Sequence, residues 1–447
     1  MRTHYLQTGH FILFARGNFL INSYVDIFKT FNLQPVRFEV ETYSITRLFF
    51  CGLTILILIG SLPVFFLPRS SLAAELSFEP SIGLASSRDD NATLTTGAHE
   101  SVTAVSIYPR MKWAKTTETS AVNLDLLLSA TEYSGNQVPD TNTQILTIKS
   151  YLQTTERTKW GFDGDLRRDF LFEDVQTTSG TGDLQDTDVG LVTQKVRRDR
   201  LTAKPSWSYA LSERSSLGVR YGITDVSYSN TIGTNLVDYK NHYLATTYSY
   251  RITMRDDLNF TLAHSAYRPD VSNTKSESNR LLVGVSHAYT ETTRGRFLIG
   301  VGETSEKFTT RTDDTSSYIL EAGLLQRSEL TRVDGVISRD VQPSGFDRSV
   351  ISNQFRVRLT RKISPILSVV LRANMFRNKV LEGTDPNVDR RYYRLRTGLN
   401  WQWRPEWAIG MDYQYRRQKF DTDPESAKSN ALIVDVTYTW PRQVTSR

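Results

Sequence analysis

DRRYYRLRTGLNWQWRPEWAIGMDYQYRR, residues 389–417, alternates from one end to the other. Tyr393, Leu395, Thr397, Leu399, Trp401 and Trp403 share one parity, and Arg394, Arg396, Gly398, Asn400 and Gln402 share the other. After Arg404-Pro405-Glu406 the alternation resumes, with Trp407, Ile409, Met411, Tyr413 and Tyr415 against Asp412, Gln414 and Arg416. A period of two over about eleven residues on each side of a short turn is a long antiparallel hairpin with one apolar and one polar face. About eleven residues is also what a tilted strand needs to cross a bilayer's hydrocarbon. The hairpin therefore predicts a transmembrane β-barrel.

The same alternation recurs from Leu76 onward. It predicts strands near 76–84, 105–113, 122–130, 144–152, 160–170, 195–211, 216–228, 237–252 and 257–267. Others follow near 279–290, 295–303, 316–326, 330–339, 350–360, 366–377, 389–403, 407–417 and 430–440. The expected fold is all-β, an antiparallel up-and-down barrel of about eighteen strands, an even number as in bacterial single-chain barrels. Sixteen is the alternative, because 195–211 and 330–339 alternate least cleanly. Some polar faces carry many charges, as in Lys159, Asp163, Asp165, Arg167 and Asp169. A water-filled lumen tolerates them.

Loop lengths and tryptophans give independent support. Connections after even-numbered strands are short, as around Thr117, Arg157, Glu213 and Pro405, whereas those after odd-numbered strands are mostly longer, up to Glu173–Gln194. Outer-membrane barrels show this asymmetry, with short turns on the periplasmic side. Trp113, Trp160, Trp207, Trp401, Trp403, Trp407 and Trp440 all fall at the short-turn ends. Indoles prefer the membrane interface, so the seven predict one aromatic girdle on the periplasmic side.

Composition agrees with this reading. The chain of 447 residues is 39% hydrophobic with a mean hydropathy of −0.37, as half-wet strands and polar loops give. The strongest apolar run, Leu48–Leu67, follows Arg47 and ends in Ser71-Leu72-Ala73-Ala74. Small residues behind such a run predict a cleaved secretory signal over 47–74, a membrane anchor being the alternative. Residues 1–46 are then an extension, most simply a start codon set too early; 75–440 form the barrel, and 441–447 a periplasmic tail. Cleavage removes Cys51, the one cysteine, and with it any disulfide or thiolate chemistry. The segment to Ala74 carries six Lys/Arg and three Asp/Glu, so the remainder, with 48 and 45, keeps a net charge of +3. That balance gives no reason to expect nucleic acid.

Phe78-Glu79-Pro80-Ser81-Ile82, then Asp89-Asp90-Asn91, then Ile107-Tyr108-Pro109 resemble bacterial outer-membrane barrels grouped as a second β-barrel porin family. Its members are often encoded beside exopolysaccharide or exosortase/PEP-CTERM systems. The resemblance extends loosely along 75–440, implies an outer-membrane barrel serving polysaccharide export, and carries over no catalytic residue. Val434, Val436, Tyr438 and Trp440 resemble the terminal signal read by the barrel-assembly machinery, although Pro441–Arg447 trails behind it.

Enzymatic chemistry finds little support. Past Ala74 the histidines are His99, in a loop, and His242, His264 and His287, which share the lipid-facing parity. His264 and Ser265 are adjacent and so face opposite ways. No phosphate loop or paired-histidine motif occurs, and no cofactor is expected. Asp313-Asp314 and Asp421-Thr422-Asp423 lack the spacing of an EF-hand and read as solvated loop charge.

The polar face of the C-terminal third is more informative. Arg356, Arg358, Arg372, Arg394, Arg396 and Arg416 share the inward parity with one acid, Asp412. Folding about Pro405 sets Arg394 opposite Arg416, and folding about Gly383 sets Arg372 opposite Arg394. Elsewhere, Lys149 is expected opposite Asp165, and Asp125 near Lys112 or Arg110. Directly opposed like charges are unfavourable, so the row is easiest to understand if water, loop carboxylates or an anionic solute screens it. The sequence thus points to an outer-membrane channel or export pore for an anionic solute, an exopolysaccharide among the candidates. Its expected partners are outer-membrane lipid, lipopolysaccharide and the barrel-assembly machinery. A structural or adhesive barrel with a plugged lumen, and a lipid-modifying enzyme, are the alternatives.

Overall fold

The computed structural model of the chain describes residues 74–134, 138, 140–171, 196–231, 233–270, 274–381, 383–386 and 388–446. The extension at 1–46, the expected signal up to residue 73 and the longest loop lie outside the described residues.

Eighteen long strands make the wall. The first nine are β1 (Glu75–Asp89), β2 (Val102–Thr116), β3 (Ser120–Tyr133), β4 (Thr141–Gln153), β5 (Thr158–Phe170), β6 (Arg197–Ala210), β7 (Ser215–Ser229), β8 (Tyr239–Arg251) and β9 (Asp256–Pro269). Then come β10 (Lys275–Ala288), β11 (Thr293–Lys307), β12 (Thr312–Arg327), β13 (Thr331–Pro343), β14 (Ser349–Lys362), β15 (Leu367–Val380), β16 (Arg390–Arg404), β17 (Trp407–Phe420) and β18 (Ala427–Thr439). Several outrun the alternation that foretold them. β1 continues to Asp89, where side chains on both faces have turned polar while the backbone ladder persists.

Each strand pairs antiparallel with the next, and β18 returns to β1, from Ser81↔Thr439 to Asp89↔Ala431. The sheet is therefore closed, which leaves no free edge. The segment expected as a tail departs from that expectation. After Trp440, whose amide donates to the Pro80 carbonyl at 3.0 Å, Gln443–Ser446 (β19) resumes pairing with Glu75–Phe78. Pro441 has no amide hydrogen to offer the ladder, which is why pairing breaks there and not further on.

Exposure alternates as the sequence does. Along β16, Arg390, Tyr392, Arg394, Arg396 and Gly398 are buried, while the residues between them are exposed. The outward face carries large apolar side chains in open view, among them Leu262 at 62%, Val301 at 64% and Ile299 at 52% exposure. Such a belt around a whole molecule is what a lipid environment covers.

The long-loop end is filled. One apolar cluster joins Leu171 and Val196 at the feet of β5 and β6 to Tyr228, Leu236, Tyr239, Tyr267, Phe346 and Val350, and on to Val380 and Val388 beside β15 and β16. Those strands are half a turn of the barrel apart, so the cluster crosses the mouth. Its centre is the 344–348 connection, folded inward as a strap. Val237 N donates to Gly345 O at 2.8 Å, Tyr267 Oη to Ser344 O at 2.7 Å, and Ser349 N to the Glu306 carboxylate at 2.9 Å. Nearby, the β12–β13 ladder stops at Leu320↔Arg339. Beyond that level 312–319 pairs with β11 and 340–343 with β14.

Candidate functional site: the arginine-lined lumen

The two-residue period of four adjacent strands puts Arg356, Arg358, Arg372, Arg394, Arg396, Asp412 and Arg416 on the inner face. Arg394 lies opposite Arg416 as expected. Arg372 does not lie opposite Arg394; it faces Arg396, two residues on. The 381–389 connection sets that register. It is not a symmetric fold about Gly383, because Asp389 accepts from Val380 N at 2.8 Å and Asp385 N at 3.4 Å. Two cross-strand rows result, Arg358–Arg372–Arg396–Gln414 and Arg356–Asn374–Arg394–Arg416.

Carboxylates reach these rows from two directions. Asp412 is 2.8 Å from Arg396 and 3.8 Å from Arg372. Gly398 faces it across the hairpin, and a Cβ there would overlap its carboxylate, so the glycine supplies the room in which Asp412 leans toward the arginines. Gly410 does the same for Asp435, which accepts from Tyr108 Oη at 3.3 Å. The second carboxylate is Asp89, at the end of β1, 2.6 Å from Arg416. Both side chains are buried, and Ser429 bridges them, donating to Asp89 at 2.7 Å and accepting from Arg416. Nothing near Arg416 in sequence announces Asp89. A hint existed in its inward parity at the barrel seam, where the first and last strands must meet.

Two buried amides complete the cluster. The side-chain amide of Gln414 and Oδ1 of Asn374 have no hydrogen-bond partner among the described residues. Buried polar groups are seldom left so. Arg390, stacked on Phe376 at 4.8 Å, donates to Gln418 at 2.8 Å and closes the cluster toward the mouth.

Other inward charges pair across the wall. Arg198 meets Asp169 through two hydrogen bonds of 3.0 and 2.7 Å, and Arg280 meets Asp340 at 2.9 and 2.8 Å. Asp125 lies opposite Lys112 in register but binds Arg110, while Lys112 turns to Glu79 at 3.2 Å. Lys149 stands opposite Asp163 and not Asp165, again a shift of two that leaves the faces unchanged. Toward the short turns Lys112, Lys149, Asp163, Arg220 and Asp334 are inward yet exposed, which marks a wet vestibule below the cluster.

All seven tryptophans lie at the short-turn end on the outward parity. Trp160 and Trp207 are neighbours at 6.4 Å, and Trp407, Tyr438 and Trp440 follow one another at 5.0 and 4.9 Å. His242, His264 and His287 are also outward, held by Tyr221, Asn279 and Asp256 at 2.6, 2.8 and 2.6 Å. His99 contacts Gly97 O at 2.9 Å. Among the described residues no three potential metal ligands converge. Asp313 pairs with Arg311 at 2.8 Å, and Asp421 lies between Arg377 and Arg391.

No protein-family model matches the chain, and no curated protein matches it. Among solved structures it is similar to Pseudomonas aeruginosa OccK5 (OpdH), at 11% identity over 82% of this chain and 98% of that one, with a TM-score of 0.40. It is also similar to OccK2 (OpdF) of the same organism in complex with glucuronate, at 10% identity over 83% and 98%, TM-score 0.42. OpdK with vanillate matches at 10% identity over 82% and 99%, TM-score 0.41.

Proposed function

We propose that the chain is an outer-membrane channel that passes anionic solutes, in a conformation closed at its outer end. The observation that carries this reading is the pair of arginine rows. The two rows hold six inward arginines, and the strands that carry them, β14 to β17, supply one inward carboxylate, Asp412. Planar guanidiniums at adjacent register positions suit carboxylate, sulfate or phosphate, and the vestibule below them delivers solutes to the rows. An acidic polysaccharide belongs to the same chemical class and would pass once the strap and its apolar cluster move aside. The lipid-facing belt and one-sided tryptophans support a place in the outer membrane, with the short turns in the periplasm.

Planar-bilayer recording of the reconstituted barrel under a salt gradient tests this. The expected result is anion selectivity that falls in Arg394→Ser and Arg396→Ser. Cation selectivity left unchanged by both substitutions refutes it. The apolar cluster across the mouth favours a second reading, a structural barrel with a plugged lumen. Absence of conductance steps both in the native chain and in Phe346→Ala would decide for the plug.

A further inference from the structure

The outward face of β13 to β17 differs from the rest of the barrel at its long-loop end. Arg339, Arg377, Arg391 and Lys419 are outward and fall on one cross-strand row, with Arg417 and Lys428 on the row beneath. No carboxylate lies on the outward parity of these strands or of β18. Around the remaining wall, outward cations near the same end alternate with acids, as in Arg168 with Asp199 at 2.6 Å and Lys240 with Asp225 at 3.7 Å.

The height of this basic band is informative. Arg391 is ten residues along β16 from Trp401, and Arg417 is ten along β17 from Trp407. At about 3.3 Å per residue and a tilt of about 40°, ten residues climb roughly 25 Å, the height of the apolar band of such barrels. The cations therefore stand where the headgroups of the leaflet opposite the tryptophans begin.

Beneath them is a cleft of about 440 Å³ on the outer wall, beside the place where the β12–β13 ladder stops. Its floor includes Tyr318, Ile337, Phe355, Met375 and Tyr393, and Arg339, Arg377 and Arg391 form its rim. Arg339 lies over the Tyr318 ring at 4.1 Å and donates to Asn353 at 2.9 Å. Its Nε–H and that of Arg377 are buried with no acceptor among the described residues. Asp421, 3.5 Å from Arg377 and 3.4 Å from Arg391, is the carboxylate in contact with this rim.

An apolar floor under a guanidinium rim, one hydrocarbon thickness from the aromatic ring, has the chemistry of an acidic, multiply acylated lipid. We propose that this face binds one phosphate-bearing glycolipid of the outer leaflet, the lipid A type of anchor. Its phosphates sit on Arg339, Arg377, Arg391 and Arg417, and an acyl chain lies in the cleft. Arg forks bind phosphate through paired, charge-assisted hydrogen bonds. The site is on the outside of the wall and does not depend on what passes through the lumen.

The test titrates the refolded full barrel in detergent with diphosphorylated lipid A and with the same lipid stripped of its phosphates, reading bound lipid by native mass spectrometry. One diphosphorylated lipid per chain is expected. Its affinity should be about tenfold or more above that of the stripped lipid. Arg377→Gln/Arg391→Gln/Arg417→Gln should lose the same factor, and Arg88→Gln/Arg268→Gln/Lys275→Gln, on β1, β9 and β10 outside this face, should lose none. Equal binding of the two lipids, or equal loss in the two triple variants, overturns the proposal. So does a chain whose dimerisation, and not its lipid binding, follows the first triple variant. If that variant fails to show the heat-dependent gel mobility of a folded barrel, the single Arg391→Gln, at an exposed position, is read for the same loss.

Discussion

Asp89→Asn should destabilise the barrel at its seam far more than its position at the end of the first strand suggests. Asp89 and Arg416 are 2.6 Å apart, with side-chain exposures of 4% and 1%, and the strand between them, β18, is the one that closes the barrel on β1. At an effective dielectric of about 20 and a charge separation of about 3.5 Å the pair attracts by roughly 5 kcal/mol before desolvation is counted. Removing one partner leaves a buried charge, and the net cost is about 3–5 kcal/mol. Asparagine keeps the shape and one acceptor oxygen for the Asn91 amide and Ser429, so most of the loss is electrostatic. A control sits at the other end of the same seam. Arg442 and Glu75 are 3.3 Å apart but more than half exposed, and Arg442→Ala should change stability by no more than about 0.5 kcal/mol. Urea titration of the barrel folded into short-chain lipid bilayers, followed by tryptophan fluorescence, measures both. In a double-mutant cycle with Arg416→Gln, the double variant should recover about 2 kcal/mol relative to the sum of the singles. A cost below about 1 kcal/mol for Asp89→Asn, or full additivity, refutes the reasoning.

Three further outcomes are expected. Leu395→Arg, outward near mid-membrane, should cost about 2–4 kcal/mol in the same titration, and Asn400→Arg, inward and exposed, close to nothing; equal costs would contradict the assignment of faces. Gly398→Ala should cost about 1–3 kcal/mol by forcing Asp412 off Arg396, whereas Gly335→Ala, whose added carbon meets Val357 at an ordinary 3.5 Å, should be tolerated. Phe346→Ala removes a buried ring from the cluster across the mouth, a packing loss of about 3–5 kcal/mol, and should raise the frequency of conductance steps while the barrel keeps its heat-dependent gel mobility.

The sequence by itself determined the strands, their two faces and the contrast between short and long connections. Each follows from a period of two, which local sequence carries in full because successive side chains must alternate. Short turns also fixed the Arg394–Arg416 pairing, since a hairpin folded about Pro405 has little freedom of register. Where the connection has its own internal hydrogen bonds, as at Asp385 and Asp389, the register moved by two, and Arg372 came to face Arg396. A shift of two keeps every side chain on its face, so the inward arginines were legible while their neighbours were not.

Closure was decided by tertiary structure alone. Arg416 meets Asp89, 327 residues away, because the last strands must pair with the first, and no local pattern encodes that distance. The same holds for Phe346 joining Tyr228 and Leu236 in one cluster, and for the cations of β13 to β17 gathering above one cleft. Period two says which way a side chain points. What it meets there is set by the circumference of the closed sheet and by loops that fold across it.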